Sequence, residues 1–159
     1  YAFEPGERQF RAMQIRISRL VDEWAIDSGK IICIKGGLGE KNSTLPYTYD
    51  SASPQGSNFI ANNIPKAQEA CIYSLDSFMG QEPITMIKAD IEGFELEMLK
   101  GAQILIKRCR PKLAISLYHR PQDLYEIPLY INSLVPEYKM AIRHHSCKLY
   151  DTVLYCWIE

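Results

Sequence analysis

One stretch, residues 84–101, constrains the rest of the chain: ITMIKADIEGFELEMLKG. It opens on an apolar run, Ile84 to Ile87, of the kind that makes a buried strand. Asp90 and Glu92 follow, then Gly93, and a helix is predicted from Phe94. Strand, acidic turn, glycine and helix is how an open α/β sheet builds a site at the carboxyl end of a strand. Side chains two residues apart in an extended segment share a side. If the strand continues through Ile91, Asp90 and Glu92 face one cavity. Two carboxylates that close repel, so they require a cation, a hydroxyl-rich ligand, or a raised pKa on one of them. The competing reading is plainer: acids just ahead of a helix favour its positive end and can cap it.

The longer pattern decides between the two. KADIEGFELEMLKGA resembles the signature of FkbM-type methyltransferases, which are S-adenosylmethionine-dependent O-methyltransferases. Their D-[VI]-E-G-x-E-x-x-x-L-x-G-A falls on Asp90, Ile91, Glu92, Gly93, Glu95, Leu99, Gly101 and Ala102, with Lys88 ahead of it. The resemblance implies an α/β three-layer sandwich of class I methyltransferase (Rossmann-like) type. Its sheet would be mostly parallel and would close with a C-terminal antiparallel hairpin.

Composition sets outer limits. At 159 residues the chain is expected to form one domain, spanning 1–159, with one sizeable core. A net charge of -1 gives no electrostatic case for nucleic acid or an anionic membrane surface. No apolar run approaches the ~18 residues of a membrane helix, and the start has no signal-peptide pattern. The five cysteines are scattered without a C-x-x-C pair, so neither a zinc site nor a disulfide framework is indicated. Cys33, Cys71 and Cys156 lie in apolar runs and are expected to be buried, reduced thiols, which fits a cytoplasmic setting.

At the N-terminus, Tyr1-Ala2-Phe3 reads as a short strand ended by Pro5 and turned by Gly6. A helix is expected over about 7–26, with Phe10, Met13, Ile17, Leu20, Val21 and Trp24 at spacings of three and four. The family has an acid in an F-E-P segment that binds the ribose hydroxyls of the cofactor. Phe3-Glu4-Pro5 is similar, so the resemblance assigns Glu4 that role. The alternative is a surface acid near a helix start. The run Ile31 to Ile34 suggests a strand covered on both faces. The family has a loop near the adenine that is similar to Gly37-Leu38-Gly39-Glu40, which makes Gly39 and Glu40 cofactor candidates beside Asp90. A plain strand-to-loop turn is the other reading.

Residues 44–49 are expected to form an edge strand, since Pro46 cannot donate to a ladder. A long loop over 50–63 could cover a site or be a functionless insertion. Another strand is expected at 70–73, and Asp76 reads as a helix N-cap. The helix from Phe94 is expected to run to about Arg108, with Gly101 marking a close contact. The strand 112–118 ends at His119. A histidine there could be a general base on a hydroxyl substrate, could join Asp90 or Glu92 around a divalent cation, or could simply bond a loop carbonyl. No metal site is assigned on this basis. Pro128 is expected to break or kink the next helix. Two final strands, 138–142 and 153–158, make the closing hairpin.

The resemblance implies S-adenosyl-L-methionine as cofactor and a hydroxyl of a sugar or other polyhydroxylated small molecule as methyl acceptor. Asp90, Glu92 and His119 would be the catalytic residues. The family's first strand and glycine-rich turn have no counterpart here, although that strand is central in the sheet order 3-2-1-4-5-7-6. The chain is therefore expected to be the C-terminal part of a longer protein, with an upstream segment or a second chain completing the sheet. Direct pairing of the Tyr1 and Ile84 strands is a third option. A non-catalytic remnant or interaction domain is the alternative function.

Overall fold

In the computed structural model, residues 1–47, 68–148 and 150–159 are described. They group into two compact units. The first comprises Tyr1–Leu38 and Asn42–Tyr73, the second Gly39–Lys41 and Ser74–Glu159. The expected loop at 50–63, with Thr48 and Tyr49, lies outside the described residues.

In the first unit, strand β1 (Ala2–Glu4) leads into helix α1 (Glu7–Trp24). Strand β2 (Cys33–Lys35) returns parallel to β1, pairing Ala2 with Cys33 and Glu4 with Lys35. The helix ends two residues early because Ala25 takes a left-handed conformation, from which Ile26 N–H bonds the Val21 carbonyl. The expected apolar face is covered only in part: Phe10, Met13, Ile17 and Val21 are half-buried, Leu20 and Trp24 are exposed, and no residue of α1 is fully buried. Nor is the Ile31 to Ile34 run covered on both sides: the strand is shorter than the run, and Ile32 is exposed. Strands β3 (Gly37–Leu38), β4 (Ser43–Tyr47) and β5 (Gln68–Tyr73) form a second sheet in the order β3-β5-β4. Pro46 sits on its edge strand, where a missing donor costs least.

The second unit holds the larger core. Its sheet is ordered β6-β7-β9-β8, from β6 (Met86–Ala89), β7 (Lys112–Ser116), β8 (Lys139–His144) and β9 (Thr152–Trp157). The first pair is parallel and the last two strands make the expected antiparallel hairpin. Helices α2 (Leu75–Met79), α3 (Glu95–Lys100), α4 (Gln103–Cys109) and α5 (Asp123–Leu134) supply the covering side chains. Met98, Leu99, Ala102, Ile106, Leu113, Ile115, Ile127, Ile131 and Leu154 are essentially solvent-free. The architecture is α/β with mixed sheets. Strands β1 and β6 fall in different sheets.

Three local expectations are corrected. The single helix over 94–108 is two, interrupted at Gly101 and Ala102. A Cβ on Gly101 would stand 2.0 Å from the Gly39 carbonyl oxygen, so this backbone-to-backbone approach needs glycine. Of the break or kink expected at Pro128, the break does not occur: the residue sits inside α5. The carbonyl that loses its donor belongs to Leu124, a half-exposed residue where water can replace the bond. Of the three cysteines expected inside, Cys156 alone is buried; Cys71 is exposed and Cys33 half-buried, because their strands are covered on one side at most.

Candidate functional site

Parallel strands β6 and β7 end side by side, pairing Ala89 with Ile115. Their carboxyl ends therefore deliver Asp90 and His119 to one place. The strand stops at Ala89, so the two-residue alternation that would align Asp90 with Glu92 does not apply. A tight turn brings them together instead. Glu92 takes φ 58° and Gly93 φ 91°, in the left-handed region that costs a non-glycine residue about 1–2 kcal/mol. With the chain reversed this way, His119 Nε2 lies 3.5 Å from Asp90 Oδ1 and 3.6 Å from Glu92 Oε2.

The other side of the imidazole meets Glu95, a motif residue to which sequence pattern assigns no role. Glu95 Oε1 is 2.9 Å from His119 Nδ1 and also accepts the Ile91 N–H at 2.8 Å. Glu95 is fully buried, and its Oε2 has no hydrogen-bond partner among the described residues. The Nδ1 contact is close but poorly aligned as a hydrogen bond. A signal for Glu95 does exist in the sequence: it is the third acid of the D-x-E-G-x-E run, on the first turn of a helix whose neighbours Met98 and Leu99 belong to the core.

Tyr118 completes the constellation by donating to Asp90 Oδ1 at 2.8 Å. Its ring stacks obliquely on His119, with centroids 4.1 Å apart. Burial, the bond to Asp90 and the nearby negative charges all hold the Tyr118 hydroxyl well above the usual phenol range. Burial pushes the His119 pKa down, but the Glu95 contact and the charges of Glu95, Glu92 and Asp90 outweigh it. The imidazole is left more basic than an ordinary histidine. Burial, with the Asp90 and Glu95 charges, raises Glu92 against the opposing pull of His119.

The remaining candidates are placed as follows. Gly39 is buried with its carbonyl against Gly101, and Glu40 is exposed. In the first unit, Glu4 is half-buried at the end of β1, and its Oε1 accepts the Gly6 N–H at 2.7 Å. Burial raises its pKa more than this bond lowers it. A Cβ on Gly6 would stand 3.0 Å from that same carboxylate oxygen and 2.6 Å from Gln9 Oε1, so the glycine keeps the carboxylate pocket open. Asp76 is not a cap for its own helix. Its two oxygens accept from Ile104 N (3.1 Å) and Leu105 N (2.8 Å), closing the first turn of α4.

A family model described as the methyltransferase FkbM domain matches residues 1–140. The crystal structure of methyltransferase FkbM from Methylobacillus flagellatus KT is similar, with a TM-score of 0.77 and 31% identity. The match covers 98% of this chain and 35% of that one, so this chain spans about a third of that relative's length. No curated protein matches the chain. Among the described residues, no helix is long and apolar enough to cross a membrane.

Proposed function

Because this chain belongs to the methyltransferase FkbM family, we propose that it serves methyl transfer from S-adenosyl-L-methionine to a hydroxyl of a sugar or other polyhydroxylated small molecule. The observation that carries this reading is the meeting of Asp90, Glu92 and His119 at the ends of two parallel strands. The residues present fit the cofactor on one further count. Glu4 is a half-buried carboxylate at a strand end whose Oε1 accepts the Gly6 N–H, and a carboxylate is a fitting acceptor for a vicinal diol. Gly39, Glu40 and Asp90 are assigned to the same cofactor.

When bound, S-adenosylmethionine supplies an electrophilic methyl group open to in-line attack. The chain's own task is to position the acceptor and remove its proton. The polar wall formed by Asp90, Glu92 and His119 receives the acceptor hydroxyl. Tyr118 fixes the Asp90 carboxylate by its 2.8 Å hydrogen bond. The same reading takes 1–159 as one methyltransferase-like domain of three-layer, class I type.

Calorimetric titration with S-adenosylhomocysteine, on this chain and on one extended upstream, is the first test. Binding by either, followed by methylation of sugar hydroxyls that Asp90→Ala and His119→Ala reduce at least 100-fold, supports the reading. Folded protein that binds in neither form favours the non-catalytic alternative.

A further inference from the structure

We propose that Asp90, Glu95 and His119 bind one divalent first-row metal ion. Each offers a donor atom, and the three donors lie within 4.8 Å of one another. Metal–nitrogen and metal–oxygen bonds are about 2.0–2.2 Å, so donors on opposite sides of one ion stand about 4.2 Å apart. Small side-chain rotations of well under an ångström close that gap.

Two observations distinguish this group from an ordinary acidic patch. Glu95 is completely buried, with Oε2 unpartnered among the described residues, and a buried carboxylate oxygen without a partner is costly. The His119 side chain is nine-tenths buried, and neither ring nitrogen has an aligned hydrogen-bond partner. Its Nε2 distance to the proposed ligand Asp90, 3.5 Å, is beyond good hydrogen-bond range.

Charge points the same way. Asp90, Glu92 and Glu95 surround a single imidazole, which offsets one negative charge at most, and does so only when protonated. One nitrogen and two carboxylate oxygens suit manganese, iron, cobalt or zinc better than magnesium or calcium. Ile91 N–H would hold Glu95 from behind, as a supporting partner holds a metal-binding carboxylate. A metal here would accept a hydroxyl oxygen of the acceptor as a further ligand, and in that role alone the inference rests on the methyl-transfer reading.

The test is binding of Mn2+ to the chelator-treated chain. Loss of the free-ion electron paramagnetic resonance signal and calorimetry both read it. One site per chain is expected, weakened at least 10-fold in Asp90→Asn and in His119→Gln. Glu95→Gln should do the same. If that buried substitution unfolds the chain, Asp90→Asn, at a carboxylate 36% exposed, still decides. Folded wild-type chain that leaves millimolar Mn2+ free overturns the proposal. So does binding that is unchanged in both Asp90→Asn and His119→Gln. Mn2+ binding with no methyl transfer, from this chain or from the one extended upstream, overturns the functional reading and leaves the metal site standing.

Discussion

At the residue scale, a strained backbone and a proposed catalytic side chain coincide at Glu92. Its left-handed backbone is a conformation glycine takes without penalty, yet a carboxylate stands there. Glu92→Gly should leave stability unchanged or raise it by about 1 kcal/mol, the share of strain it removes. Methyl transfer should fall at least tenfold. Denaturant unfolding and initial rates on the same preparation check both halves, and a destabilised variant would show that the carboxylate holds the turn. Gly101 behaves oppositely. Helix propensity alone promises about 1 kcal/mol of gain for Gly101→Ala. The Gly39 carbonyl, 2.0 Å from the new methyl, instead forces the backbone apart. The expected outcome is a loss of about 2 kcal/mol in denaturant unfolding, as for other overpacked sites.

At the scale of elements, the sequence was most legible where periodicity and punctuation agree. The closing hairpin, the edge strand with Pro46, and the strand–turn–helix around Asp90 follow from alternation, proline chemistry and the acidic turn. Where a feature depends on contact across the fold, local pattern was silent. The split between α3 and α4 falls at Gly101, where the Gly39 backbone packs close. The role of Asp76 comes from α4, 28 residues further on, whose first-turn N–H groups it accepts. Glu95 stands in the motif but not among the expected site residues, because its burial is set by the core and not by its neighbours in sequence. Asp76→Ala should cost about 1–2 kcal/mol in thermal or denaturant unfolding, as loss of an N-cap does. Asp76→Asn keeps an acceptor oxygen and should recover about half. A strand end adds a pH-dependent case. Glu4 has a folded pKa above the ordinary 4.5, so the folded state binds more protons than the unfolded state just above that pH. Its contribution to stability therefore falls as pH rises through this window. Glu4→Gln keeps an acceptor for Gly6 N–H and removes the charge. The variant should gain stability relative to wild type on going from pH 4 to pH 7, while its affinity for S-adenosylhomocysteine drops.

For the whole molecule, burial among the described residues differs between the two units, each judged by itself. Of the described side chains, nearly all that are fully buried, from Met98 to Leu154, belong to the unit built on β6, β7, β8 and β9. In the other, α1 buries no residue completely, and its Trp24 and Ile15 stand mostly in water. Hydrophobic stabilisation scales with apolar area removed from water, about 25 cal/mol per Å², so α1 is held mainly by its own backbone bonds and a partly covered face. An 18-residue helix is marginal on those terms alone. Local opening should follow that gradient. Native-state hydrogen exchange on this chain is expected to give the lowest protection over Glu7–Trp24 and the highest over β7 and β9, with α4 close behind. The ordering has a functional corollary. S-adenosylhomocysteine, if Glu4 takes its ribose, binds a residue three positions ahead of α1 and should raise protection in α1 more than in β7. Equal protection in α1 and β7 without ligand would mean that stability does not track burial in this chain. A ligand effect confined to β7 would remove Glu4 from the cofactor assignment while leaving Asp90, Glu92 and His119 in theirs.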